Sequence, residues 1–311
     1  MSLNGRNKMR LGKLLTGAVL AIAFAMPASA AENIKIGFIT KFPVPFFATM
    51  ENAAKDYAAA NSVEIIFAQG TSATDIEGQI AHIESMVTRG VQGIAITPVD
   101  PTVAPALDKA IAAGIKVVLL DNNIPDWDGR VALATTNNYN AGKIAGEYLK
   151  TVLKDGDTMG ILEGVPGVPS LDDRVKGMLD GLTGVDVKIV GRGATGCTEE
   201  KGISVAEDIL TANPDVKSLY AACGPPAAGA AQAIKNAKLD HHVILVGFDF
   251  CCGEPEAIAE GIEDASVAQF PSKMAELGVD ALVKAIRGES VESVIDSGAA
   301  LVTKENMSKF Q

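Results

Sequence analysis

Two aspartates stand where an apolar run would break surface: Asp121 closes KVVLLD and Asp249 closes VILVGFD. A carboxylate at such a position can accept hydrogen bonds from two neighbouring hydroxyls, cap a helix, or pair with a cation. Phe46 and Phe47 follow two prolines in KFPVPFF, where Pro45 suits the first turn of a helix. Adjacent helical residues point about 100° apart and cannot easily share one face, so at least one of these rings is expected to form a flat wall. Arg174, in SLDDRVKG, adds a cation at the start of a helix. Aromatic faces against C–H bonds, with carboxylates, amides and a guanidinium around them, are the means of holding a polyhydroxylated guest. Lys41 and Phe42, in the same KFPVPFF stretch, receive no role at this level.

Catalytic patterns are missing. The chain has no G-x-S-x-G elbow, no H-E-x-x-H and no Walker A loop, and its only histidines are His82, His241 and His242. No enzyme activity, metal ion or cofactor is therefore expected. The alternative of an exported sugar-acting enzyme would have to use Asp121 and Asp249 as an acid/base pair. GRGATG at 191–196 matches G-x-G-x-x-G after a strand, yet the dinucleotide turn normally follows the first strand of a chain, and this one lies deep in the second half. Cys197, Cys223, Cys251 and Cys252 match no zinc spacing. Their pairing stays open, because Cys251 and Cys252 could close only a strained eight-membered ring and free thiols are an equal expectation.

These residues must be positioned by something, and the pattern says what. Short apolar runs alternate with helical patterns: IKIGFI, then 45–61; VEIIFA, then 74–90; GIAITP, then 102–113; KVVLLD, then VALAT. The second half repeats this with TMGILEG, VDVKIVG, VKSLYAA, VILVGFD and ASVAQF, separated by helices near 171–183, 200–212, 226–237 and 254–261. Such alternation predicts an α/β fold of parallel sheets covered by helices, in two similar lobes. Ligands of open parallel sheets sit beyond the carboxyl ends of the strands. That rule selects Thr40, Val44, Phe46, Phe47, Thr97, Asp121, Asn122, Thr136 and Asn138 from the first half, and Arg174, Cys197, Cys223, Asp249 and Gln269 from the second.

The N-terminus carries Arg6, Lys8, Arg10 and Lys13, then LLTGAVLAIAFAM, then PASA with small residues at Ala28 and Ala30. This predicts a cleavable signal peptide over residues 1–30 and a periplasmic protein. The segment holds four of the 27 basic residues and none of the 38 acidic ones, leaving a net charge of −15. Nucleic acid is an improbable partner for so acidic a chain.

Several blocks then become familiar. ITKFPVPFFATMENAAK, SMVTRGVQGIAITPVD, AGIKVVLLDNN, NNYNAGKIAGEYL, LTANPDVKSLYAA, VILVGFD and SVAQFP together resemble the ribose-binding branch of the periplasmic sugar-binding proteins. The resemblance implies the type I periplasmic binding protein fold, two Rossmann-like lobes joined by a three-crossing hinge. The lobes would comprise 31–136 plus 270–298, and 137–269 plus 299–311. It implies a monomer that closes on one sugar or polyol and presents it to a membrane ABC-transporter permease, with a chemoreceptor as a further partner of some members. A sugar-sensing regulator shares this ligand core, but here the export signal stands where a DNA-binding helix-turn-helix would be.

The family's stacking phenylalanines fall on Phe46 and Phe47, its hydroxyl-binding aspartates on Asp121 and Asp249, its arginine on Arg174 and its glutamine on Gln269. Four wall positions differ from ribose binders: Val44, Thr97 and Cys223 replace asparagines, and Cys197 replaces a phenylalanine. Lost amides and a lost ring, each worth on the order of 1 kcal/mol when buried, argue against ribose itself. With two lining positions changed to cysteine, Cys197 and Cys223 are expected to bridge, narrowing the site toward a guest such as an acyclic polyol.

Overall fold

A computed structural model describes residues 33–310, so the predicted signal peptide at 1–30 lies outside the described residues. The first half runs β1 (Ile34–Thr40), α1 (Pro45–Asn61), β2 (Val63–Gln69), α2 (Ile76–Thr88), β3 (Gly93–Ile96), α3 (Ala104–Ala112), β4 (Lys116–Leu120) and β5 (Ala132–Thr135). It continues through α4 (Asn138–Val152), β6 (Thr158–Glu163), α5 (Pro169–Gly181), β7 (Lys188–Ala194), α6 (Glu199–Ala212), β8 (Ser218–Ala221) and α7 (Gly224–Ala237). Then come β9 (Ile244–Asp249), α8 (Glu254–Glu260), β10 (Ala265–Gln269), α9 (Pro271–Ile286), β11 (Val294–Asp296) and β12 (Ala299–Thr303).

The strands form two six-stranded sheets, ordered β11-β5-β4-β3-β1-β2 and β12-β10-β9-β8-β6-β7. The only antiparallel pair recorded among the described residues is β10 with β12, where Val267 faces Leu301. This is the two-lobed α/β architecture that the alternating pattern predicts. Alternation of side chains across a strand explains why KVVLL is apolar throughout. Val118 and Leu120 enter a core under α1 and α9 with Phe38, Met50 and Leu282, while Val117 and Leu119 enter one under α2 and α3 with Ile83, Ile96 and Leu107. Each fully buried side chain of this size contributes about 1.5–3 kcal/mol.

The chain passes between the sheets three times: from β5 into α4, from β10 into α9, and from β11 to β12 through Ser297 and Gly298. Thr136 joins two of these passages, its hydroxyl lying 3.1 Å from Ser297 Oγ and donating to Gly298 O at 3.2 Å. In the second lobe, α4 and α5 approach closely at glycine. A Cβ on Gly142 would fall on the Arg174 carbonyl oxygen, and one on Gly177 on that of Tyr139. GRGATG begins inside β7, and α6 starts only at Glu199 with Thr198 as its cap, so no glycine turn opens a helix there.

Candidate functional site

The carboxyl ends of the two sheets face one another across a cavity of about 70 Å³. β1 and the start of α1 supply Lys41, Phe42, Val44, Phe46 and Phe47, and β4 supplies Asp121 and Asn122. Val44 is extended and Pro45 opens α1, which turns the next two rings back to the sheet end. Phe47 is edge-on to both Phe42 and Phe46, with ring centroids 5.3 Å apart in each pair. Both Phe46 and Phe47 reach the cavity while belonging to the first-lobe core. Adjacent helical rings do not easily share one face, yet here both reach the cavity, because their edge-to-face pairing lets neighbours share a wall.

From the second lobe come Arg174, Cys197, Cys223, Asp249 and Gln269. Arg174 is 3 % exposed. Its Nε donates to Asn138 Oδ1 at 2.9 Å, and its Nη1 donates to Ala222 O at 2.9 Å and to Asp249 Oδ1 at 3.1 Å. The guanidinium lies 3.9 Å from the centroid of the Phe248 ring, a cation–π contact. Asp249 also accepts from Gln269 Nε2 at 2.6 Å and, through Oδ2, from the amide of Gly224 at the head of α7, at 3.0 Å. Both its oxygens are thus occupied, as in a helix cap that is also an ion pair. Gln269 Oε1 is buried with no partner among the described residues.

Asp121 is the counterpart with its carboxylate free of hydrogen bonds among the described residues. Burial pushes its carboxyl above the ordinary range, opposed by the positive charges of Lys41 and Arg174. Burial likewise pulls the Lys41 ammonium down, opposed mainly by Asp121. Asp121 and Asp249 both hold positive φ, 61° and 89°, as do Cys197 and Cys252; four of the eight such non-glycine residues described line this one cavity. Strained backbone of this kind persists where the surroundings fix it and gathers at functional sites. Contacts across the cleft include Ser170 Oγ donating to Asn122 Oδ1 at 2.6 Å and Cys251 packed against the first-lobe core.

Cys197 and Cys223 are joined by a disulfide with Cα atoms 5.9 Å apart, the pairing anticipated from their wall positions. The adjacent Cys251 and Cys252 are also joined, so the alternative of free thiols does not hold here, and both sulfurs' residues line the cavity. Glu254 Oε2 accepts from the Cys251 amide at 2.8 Å and Oε1 from Ser266 Oγ at 2.6 Å, which fixes that turn.

Four expected residues stand behind the wall rather than in it. Thr40 bonds Glu51 and Gln69 beneath the sheet end. Thr97 is fully buried and its hydroxyl has no partner among the described residues. Thr136 ties the crossings, and Asn138 orients Arg174 while donating to Thr136 O. Lys41, Phe42 and the Cys251–Cys252 pair are among the lining residues that reading the sequence left without a role. Their signal was their place just past β1 and β9.

Two lobes whose sheet ends meet at a shared cavity, with charged groups set among phenylalanine and disulfide walls, define the class of two-lobed solute-binding proteins. The chain belongs to the periplasmic binding protein domain family, whose model matches residues 36–290. It is 32% identical to a D-ribose/D-allose-binding protein of Pseudomonas aeruginosa over 94% of this chain and 97% of that protein. Among solved structures, it is similar to an ABC transporter periplasmic solute-binding protein of Actinobacillus succinogenes with bound D-allose. That match has a TM-score of 0.83 at 27% identity, over 89% of this chain and 100% of the other. It is similar also to an ABC transporter solute-binding protein of Mycobacterium smegmatis with bound glycerol, with a TM-score of 0.81 at 31% identity, over 89% and 96% of the two chains.

Proposed function

We propose that this chain is a non-catalytic periplasmic receptor that closes its lobes on a small polyol or monosaccharide and delivers it to an ABC-transporter permease. The observation that carries the reading is the cavity between the sheet ends, with phenylalanine and disulfide walls around Asp121, Arg174, Asp249 and Gln269. Stacking walls and charge-assisted donors are what hydroxyl-bearing guests require. Relatives named for ribose and allose, and a neighbour holding glycerol, bracket the guest's size. The fold's three crossings serve as the hinge. An acid/base role for the aspartates is disfavoured, because Asp249 already accepts from three donors.

Thermal-shift measurements with glycerol, erythritol, xylitol, D-ribose, D-allose and myo-inositol test this. A guest present at about 1,000 times its dissociation constant stabilises the protein by about 4 kcal/mol, a shift of many degrees. The reading fails if no member of the panel shifts the transition, or if a bound sugar is turned over.

A further inference from the structure

The cavity contains one cation that the receptor reading does not use. Lys41 lies just past β1, is 9 % exposed and lines the cavity, as Asp121 does from β4. Neither side chain has a hydrogen bond or ion pair with any described residue, each other included. Arg174 and Asp249, by contrast, are already joined at 3.1 Å, with only 4 % and 11 % of their side chains exposed. The charged groups around the guest are therefore one satisfied pair and one open pair.

We propose that Lys41 is a specificity-determining residue: with Asp121 it forms an open donor–acceptor pair that two hydroxyls of a guest complete, restricting the cavity to uncharged polyhydroxyl molecules. The inference rests on the receptor reading above and concerns the charge of its guest. A diol can accept from the Lys41 ammonium and donate to the Asp121 carboxylate at once, satisfying both without changing the net charge of the cavity. An aminated guest would pair with Asp121 but add a third cation beside Lys41 and Arg174. A carboxylated guest would pair with Lys41 but face Asp121 and Asp249. In a desolvated cavity either imbalance is strongly unfavourable. Burial draws both members of the open pair toward their neutral forms. Passing a proton from lysine to aspartate leaves the sum at zero, so the selection for neutrality survives it.

The test is calorimetric titration of the full chain with erythritol, ribitol and D-ribose, each beside its amino-deoxy analogue and its carboxylate (erythronate, ribonate). Wild type is expected to bind a neutral member and to reject that member's two charged counterparts. Lys41→Met should weaken the neutral guest by roughly 10- to 100-fold, the loss of one charge-assisted hydrogen bond, and shift preference toward the amine. Lys41→Gln, which keeps a donor without the charge, should lose less affinity yet discriminate against amines as poorly; it also serves if the methionine variant does not melt cooperatively. Wild type that takes an amine or an acid as tightly as the polyol overturns the inference. So does a Lys41→Met protein with unchanged affinity and selectivity. If wild type binds no compound of any charge, it is the receptor reading itself that falls, a result distinguishable from binding without discrimination.

Discussion

Replacing Arg174 with methionine removes a cation that three residues hold and leaves the Asp249 carboxylate in a site where 11 % of its side chain is exposed. Breaking a buried ion pair from one side costs about 3–5 kcal/mol, because the remaining charge is desolvated without compensation. Asp249 retains two donors, Gly224 N at 3.0 Å and Gln269 Nε2 at 2.6 Å, so the lower end, about 3 kcal/mol, applies. Methionine keeps apolar contact with Phe248 but forfeits the cation–π contact at 3.9 Å and strands Asn138 Oδ1. At about 2–4 °C per kcal/mol for a chain of this size, the melting temperature should fall by about 6–12 °C. Pairing the change with Asp249→Asn removes the orphaned charge, and the double variant should recover a substantial part of the loss, a coupling that a double-mutant cycle isolates. Calorimetric melting of the wild type, both single variants and the double variant decides it. A single variant that melts like wild type, or a double variant no more stable than Arg174→Met, would refute a buried, mutually dependent pair.

Other expectations follow from separate features. Glu254 and Glu263 are both buried, with carboxyls pushed well above the ordinary 4.5 first by desolvation and then by the charge of Asp249 on Glu254 and of Glu254 on Glu263, and Glu263 has no hydrogen-bond partner for either oxygen among the described residues. A raised carboxyl contributes stability below its unfolded value that is lost as pH climbs through its folded value. Wild-type unfolding free energy should therefore decline relative to Glu263→Gln from pH 4.5 upward, and parallel curves would exclude a Glu263 carboxyl kept neutral by burial. Gly142→Ala, by pressing on the Arg174 carbonyl, should destabilise the protein by about 1–3 kcal/mol and weaken guest binding; wild-type stability in urea would contradict the close helix approach. Thiol titration of unfolded, unreduced protein should find none free, and four after reduction, and any thiol before reduction contradicts one of the two bridges.

The parallel sheets and their carboxyl-end cavity were legible because buried strands such as KVVLLD and VILVGFD are apolar on both faces and stop at a carboxylate. Position past a strand, however, does not give direction. Thr40 and Lys41 are neighbours whose side chains leave the backbone on opposite sides, and it is the lysine that reaches the cavity. Strand-end reasoning singled out the threonine and left the lysine beside it without a role. α4 and α9 went unmarked, in keeping with glycines at 142, 146 and 278 that weaken helical propensity while permitting close packing. β11 and β12, three and five residues long, carry too few side chains for a periodic signal. Adjacent cysteines give no indication of their own oxidation state; the surrounding turn does.

The passage of α9 and β11 back to the first sheet has a consequence for how the molecule is made. Met274, Ala275, Val279 and Leu282 complete the core above β3, β4 and β5, and the closure from Thr136 to Ser297 spans 161 positions. Emerging from the ribosome, the N-terminal half is thus a sheet on which α1 covers only part of one apolar face, the part over β3, β4 and β5 waiting for residues 271–296. Contacts of such separation form slowly. A chain of this design cannot complete its first lobe until nearly all of it has been synthesised.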